Sequence, residues 1–155
     1  MSSRSKSSCA STAVIIPDVN LLLYAYDVEA SAHDRARLWW EGVLTARVPV
    51  GLAWVAILGF VRISTNRRVL DAPLEPALAC STVQKWLARR NVTILNPGDR
   101  HADILFGLLE HVGVAGNLTS DAHLAALAIE YQAELHSTDA DFSRFPGLRW
   151  RNPLK

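Results

Sequence analysis

The stretch AVIIPDVNLLLYAY, residues 13–26, constrains the fold more than any other part of the chain. Its run Val14-Ile15-Ile16 is apolar and β-branched throughout, as a short strand buried on both faces of a parallel sheet requires. Pro17 and Asp18 end that run. Asn20 follows, and a second apolar run, Leu21 to Tyr26, suits a helix. The order strand, acid, helix sets one carboxylate at the carboxyl end of a buried strand, where ligands sit in open α/β sheets. Asp18 can equally be the N-cap of the helix, accepting an otherwise unpaired amide. The local sequence leaves both roles open, and the other acids decide the matter.

At 155 residues, half of them hydrophobic, the chain holds enough material for one domain with a real core. Its net charge of +1 provides no global field to attract nucleic acid, so any basic surface must be local. Cys9 and Cys80 form no CxxC pattern and no disulfide framework, which makes a reducing cytosol the expected home. The first dozen residues, MSSRSKSSCAST, are Ser-rich and carry Arg4 and Lys6 without an apolar segment behind them. They read as a frayed, disordered tail, or as upstream sequence from an early start codon, and not as a secretory signal. No apolar run approaches the ~20 residues that span a membrane. The expected organisation is a tail over residues 1–12 and one domain over 13–155.

Beyond Asp27–Ala32, which reads as a loop, the pattern predicts a helix over 33–46 with Ala36, Leu38, Trp39, Trp40 and Val43 on its apolar face. A strand is expected over 48–50, held to its start or to a sheet edge by Pro49. A mostly buried helix follows over 53–64, then another over 77–90 introduced by Pro73 and Pro76. A strand over 92–95 and a helix over 99–111 precede breaks at Gly113 and Gly116. Asp121 opens a helix, DAHLAALAIEY, so rich in Ala and Leu that it must pack on several sides. The last strands are expected over 134–138 and 148–150. Strands alternating with helices imply a layered α/β domain around a parallel sheet.

Three carboxylates fall at matching places in this scheme. Asp18 follows the first strand, Asp139 follows the fourth, and Asp121 begins the helix just before it, with Asp141 two residues past Asp139. If the two strands are adjacent and parallel, Asp18 and Asp139 emerge on one edge, where they repel unless a cation or a shared proton intervenes. Oxygen ligands alone select a hard cation, Mg²⁺ or Mn²⁺. Zinc is disfavoured: His33, His101, His111, His123 and His136 form no HExxH or His/Cys pair. His123, two residues from Asp121 on a helix, is turned well away from it.

The segments PDVNLLLYAY, NLTSDAHLAALAIEYQAEL and STDADFSRFPGLRWRNPL, in this order and spacing, resemble the PIN domain. More narrowly they resemble the VapC ribonuclease toxins of bacterial toxin–antitoxin pairs. The resemblance runs from about Val14 to Leu154. It implies a PIN-like three-layer α/β domain with a four- or five-stranded parallel sheet flanked by helices, and Mg²⁺- or Mn²⁺-dependent cleavage of RNA. Carried over by motif, Asp18, Asp121 and Asp139 match the acidic metal site, with Asn20 and Thr138 beside it and Asp141 as an outer-sphere member. The family's attacking group is water, leaving a 3′-hydroxyl and a 5′-phosphate, and Asp139 or Asp141 would orient or deprotonate it. A VapB antitoxin whose tail lies over the site is the implied regulator, and the apolar helices suggest a homodimer.

The chain departs from the family pattern at one place. A Glu usually stands in the helix that here reads WVAILGFVRISTN, most often where this chain has Gly59, and no acid lies between Glu41 and Asp71. Glu130 is a poor substitute, being roughly 13 Å from Asp121 along one helix and on its opposite face. The departure weakens a second metal more than the first. Arg62, Arg67 and Arg68 lie in the same acid-free segment. Arg62 suits an RNA phosphate or an antitoxin carboxylate, whereas Arg67 and Arg68 read first as a solvated helix end. Trp39, Trp40, Trp54 and Trp86 read as core or interface residues before stacking platforms. Two other classes compete. A haloacid-dehalogenase-type phosphotransferase needs a second Asp where this chain has Asn20. A catalytically inactive PIN-like module, binding RNA or an antitoxin without cutting, is the stronger rival.

Overall fold

The structure, a computed structural model, describes residues 13–113 and 116–155. The expected tail therefore lies outside the described residues. Five strands, β1 (Ile15–Pro17), β2 (Val50–Ala53), β3 (Val92–Leu95), β4 (Glu134–His136) and β5 (Arg149–Arg151), form one sheet in the order β3-β2-β1-β4-β5. Every pairing is parallel. Six α-helices flank the sheet: α1 (Val19–Tyr26), α2 (His33–Thr45), α3 (Trp54–Ser64), α4 (Pro76–Leu87), α5 (His101–Val112) and α6 (Thr119–Glu130).

Strand alternation divides the core into two halves. On one face, Val50 and Leu52 pack with Leu22, Trp40, Phe60 and Trp86 from α1 to α4. On the other, Ile16, Ala53 and Leu135 pack with the alanine- and leucine-rich α6 and with Phe142. All of Ala122 and Leu124 to Ala128 are buried, so α6 does pack on several sides. Its small residues let the sheet and α5 approach closely from different directions. Gly113 ends α5 in the left-handed conformation, at φ 73°, with its amide on the Leu109 carbonyl. A left-handed cap of this kind favours glycine.

Several boundaries differ from expectation. The second strand is Val50–Ala53 rather than 48–50. Pro49 has no amide to donate and serves only as an acceptor, its carbonyl taking the Ile15 amide at 2.9 Å. β4 stops at His136, two residues early, because the chain bends at Thr138 and then enters a 3₁₀ turn over Ala140–Arg144. Asp121 does not open its helix but lies in the first turn, two residues after Thr119. α4 ends at Leu87 and β5 begins at Arg149, each within a few residues of expectation. The sheet has five strands, with β5 at one edge beside β4.

β1 lies at the centre, paired with β2 on one side and β4 on the other. Pro17 stands opposite His136 in the register. One residue further on, the Asp18 amide donates to the His136 carbonyl at 2.9 Å. The two strand ends are thus tied in register where the acids leave the sheet.

Candidate active site

Asp18 follows β1 in an extended conformation, with ψ 155°, and α1 starts at the next residue. Its Oδ1 accepts the Val19 amide at 2.8 Å, and its Oδ2 accepts the hydroxyl of Ser137 at 2.7 Å. Capping and site geometry therefore coexist in one side chain. Ser137 is fully buried and its hydroxyl is the joint of the arrangement. It donates to Asp18 and accepts the Asp139 amide at 3.0 Å and the Asn20 Nδ2 at 3.4 Å. Asn20 also donates to the Thr138 hydroxyl at 3.0 Å. Asp139 in turn accepts the Asp141 amide at 2.9 Å, which fixes the turn that follows.

Asp121 reaches this group from α6. Partial burial pushes its carboxyl up to about 6, and the charges of Asp18, Asp139 and Asp141 add to the rise. The Asp18 carboxyl is also raised. Its burial outweighs the stabilising bonds from Ser137 and the Val19 amide, and the Asp139 charge acts in the same direction as burial. The repulsion expected of crowded carboxylates is therefore present between these side chains.

The sequence placed Asp18, Asp121, Asp139, Asp141, Asn20 and Thr138 together, and the structure brings them to one edge. It does not bring Arg62 into their hydrogen bonds. Arg62 is exposed on α3, and no carboxylate among the described residues lies within ion-pairing reach of it. Trp40 and Trp86 are buried, whereas Trp54 is 48% exposed on α3 beside Leu58 at 62%. Gly59 is buried against Val19, and a Cβ there would come within 3.1 Å of the Val19 Cγ2. Glu130 accepts the Gly98 and Arg100 amides at 2.9 and 3.0 Å, anchoring the approach to α5, and these bonds hold its carboxyl below the usual range. His123 meets His101, ring nitrogen to ring nitrogen, at 2.9 Å. Both findings keep these residues out of the acid cluster. Ser137 is the one residue that sequence reasoning passed over; its only signal was a hydroxyl just ahead of Thr138-Asp139 at the end of a buried strand.

The donor set fits a hard cation in an open setting. Asn20, whose Nδ2 meets Ser137 and Thr138, also has a buried Oδ1 with no hydrogen-bond partner. No three carboxylates, histidines or cysteines among the described residues close into a cage. Mg²⁺ commonly takes one or two carboxylates and keeps several waters, so a full protein cage is not required.

The chain as a whole matches known proteins. The PIN domain family model matches residues 15–148. Ribonuclease VapC33 of Mycobacterium tuberculosis is 49% identical over 142 residues, covering 92% of this chain and 99% of that one. Ribonuclease VapC37 of the same organism is 44% identical over 138 residues, covering 89% and 96%. Among solved structures, VapBC2 of Rickettsia felis bound to a promoter DNA fragment superposes with a TM-score of 0.66 at 19% identity, over 90% of this chain and 98% of that one. Mycobacterium tuberculosis VapC20, a sarcin–ricin-loop-cleaving toxin, gives 0.61 at 17% identity, over 87% and 98%. The two structures share the fold, and the two sequences narrow the family: the chain belongs to the PIN domain family and, within it, to the VapC ribonucleases.

Proposed function

We propose that this protein is the toxin of a VapBC-type pair, an endoribonuclease that uses Mg²⁺, or Mn²⁺ in its place, in the cytoplasm. The observation that carries the proposal is the pair Asp18 and Asp139 at the exits of adjacent strands, where the one Ser137 hydroxyl donates to the Asp18 carboxylate and accepts the Asp139 backbone amide. Asp18, Asp121 and Asp139 would hold the cation, one or two of them directly and the rest through its waters, with Asn20 and Thr138 as supporting polar groups. A bound Mg²⁺ supplies Lewis-acid stabilisation of charge on the phosphate and lowers the pKa of water. Asp139 or Asp141 orients the attacking water and takes its proton. Ser137 keeps Asp18 in one rotamer, so that its carboxylate does not reorganise as the phosphate gains charge.

The partner that restrains such an activity is a VapB antitoxin, and the toxin acts as a homodimer. No helix among the described residues is long and apolar enough to cross a membrane. A second reading, a PIN module that binds RNA or an antitoxin without cutting, is favoured by Gly59 standing where the family usually has Glu. Purified protein incubated with RNA, with Mg²⁺ and then with EDTA, separates the two. Cleavage that chelation abolishes and Mg²⁺ restores supports the nuclease; no cleavage under any divalent ion supports the binding module.

A further inference from the structure

Beside the acids, at the same end of the sheet, a hollow of about 390 Å³ opens between the α1–α2 loop and the segment after β5. Its wall includes Tyr24, Ser31, Arg35, Thr138, Asn152 and Lys155. That volume lies in the range of small-molecule sites. Thr138 belongs both to this wall and to the acid cluster, where it accepts from Asn20. Asn20 and Tyr24 are four residues apart on α1, so their side chains leave the same face of the helix, one turn from each other. The hollow borders the site through Thr138.

Its frame is built by cross-links. His33 Nδ1 lies 2.8 Å from the Tyr24 carbonyl and ties the α1–α2 loop to α1. Arg35 Nη1 donates to the Leu154 carbonyl at 3.2 Å, joining α2 to the end of the chain. Asn152 Oδ1 accepts the Leu154 amide at 3.0 Å and shapes that last turn. One bond to Leu154 leaves most of the five guanidinium donors of Arg35 uncommitted. Among the described residues no carboxylate pairs with Arg35 or Lys155, and no Asp or Glu side chain lines the hollow.

A phosphodiester chain approaching Asp18, Asp121, Asp139 and Asp141 meets like charge. Cations next to the cluster offset that repulsion for the neighbouring phosphate and fix which phosphate faces the acids. We infer that the hollow of Tyr24, Arg35 and Lys155 is a nucleotide subsite that holds the RNA unit next to the bond being cut. Arg35 and Lys155 take its phosphate, and Tyr24 offers an aromatic surface to its base. The inference deepens the ribonuclease reading and rests on RNA being the substrate class.

The test is binding of a fluorescently labelled, mixed-sequence single-stranded RNA, followed by anisotropy in EDTA so that no cutting occurs. Lys155→Gln should weaken binding several-fold and reduce the slope of log K against log salt by about 0.7, the loss of one phosphate contact. Tyr24→Leu should weaken it about 10-fold, and Tyr24→Phe should bind as the wild type does, since it keeps the ring. Circular dichroism establishes that each variant is folded. If Tyr24→Leu does not fold, the exposed Lys155→Gln carries the test alone. Unchanged affinity and salt slope in a folded Lys155→Gln protein overturns the subsite, as does a wild type that binds no RNA. Cleavage with Mg²⁺ is scored separately: RNA binding that depends on these residues, in a wild type that never cuts, would remove the nuclease and leave the subsite standing.

Discussion

β1 and β2 are neighbours, run parallel, and each passes straight into a helix, yet their exits are chemically opposite. β1 leaves through Asp18, whose carboxylate caps α1 and takes the Ser137 hydroxyl. β2 leaves through Ala53, fully buried, and α3 begins with no side-chain cap at all. Three residues into α1, Leu21 and Leu22 are buried; into α3, Ala56 and Ile57 are. The two strand–helix units bury their apolar sides alike. What the fold needs is present at both exits, and what the chemistry needs is present at only one. The acid at the β1 exit caps α1 and takes a buried hydroxyl, which an uncharged acceptor could also do, while burial raises its pKa. Such a cost is retained where a ligand repays it.

The sharpest way to break the comparison is to make the β1 exit neutral. Asp18→Asn keeps a competent cap, because Asn caps as well as Asp. Cleavage should nevertheless fall by about 100-fold or more, as expected when several kcal/mol of charge stabilisation are removed. The metal-free variant should melt at the same temperature as wild type or higher at pH 7, since a carboxyl with a raised pKa opposes folding when ionised. Added Mg²⁺ should raise the melting temperature of the wild type and do less for the variant. An Asp18→Asn protein that cuts RNA normally would return Asp18 to a capping role alone.

Ser137→Ala comes next in size. It strands the Asp18 Oδ2, the Asp139 amide and part of Asn20 at once. Losses of 10–100-fold in activity or metal affinity are usual when a supporting partner of a metal ligand is removed. A stability loss of about 1–3 kcal/mol, read by urea unfolding, should accompany it. Normal activity in the folded variant would show that Asp18 needs no outside hold.

Making the β2 exit more like the β1 exit is a smaller change. Gly59→Glu adds an acid to α3 against Val19, the residue next to Asp18, and overpacking there should cost about 1–3 kcal/mol. If the new carboxylate reaches the cluster, the Mg²⁺ concentration for half-maximal cleavage should drop. A folded variant with an unchanged metal requirement would show that the position faces away from the cation.

The smallest effect is a pH dependence. Asp121 has a folded pKa of about 6 against an ordinary value of 3.8. A raised folded pKa means its favourable contribution is complete below 3.8 and is lost as pH rises through about 6. In EDTA, Asp121→Asn should thus be more stable than wild type at pH 7, by about 1 kcal/mol after discounting for solvent screening of a half-buried group. The two proteins should converge as pH falls below 5 in melting curves measured side by side, on the same linkage. Taking the difference cancels the opposing tendency of His136, whose burial lowers its pKa in both proteins. A constant gap across pH would show that neither burial nor its acidic neighbours raise the Asp121 carboxyl.

Legibility in the sequence followed the presence of punctuation. The β1 exit was readable because Pro17 and Asp18 interrupt an apolar run with a turn former and a charge. The β2 exit was not. VGLAWVAIL is apolar throughout, so strand end and helix start merge, and only pairing with Val92 to Leu95 sets where β2 stops. The end of β4 is hidden because Ser137 and Thr138 are compatible with a strand, while the departure from the sheet goes with a hydroxyl engaging Asp18 from 119 residues away. Ser137 itself was missed for the same reason. An acid advertises a site by its charge; a serine's role exists only once its partners are beside it. Of the tryptophans read as core or interface residues, Trp40 and Trp86 are core, while Trp54 is half exposed and the interface alternative stays open for it.

The bond between Ser137 and Asp18 joins residues separated by 119 positions, and it sets when in synthesis the acid cluster can form. β1 is among the first segments to emerge during synthesis, and its β2 neighbour follows soon after. Its β4 neighbour, with Ser137 and Asp139, comes almost last. Closing so long a loop is entropically slow, and sheets that pair distant strands form late. A growing chain can therefore shape the β1–β2 half while the acid cluster does not yet exist. A chain that stops short of β4 would hold Asp18 without Ser137 or Asp139, and the acid cluster is complete only once the last two strands are in place.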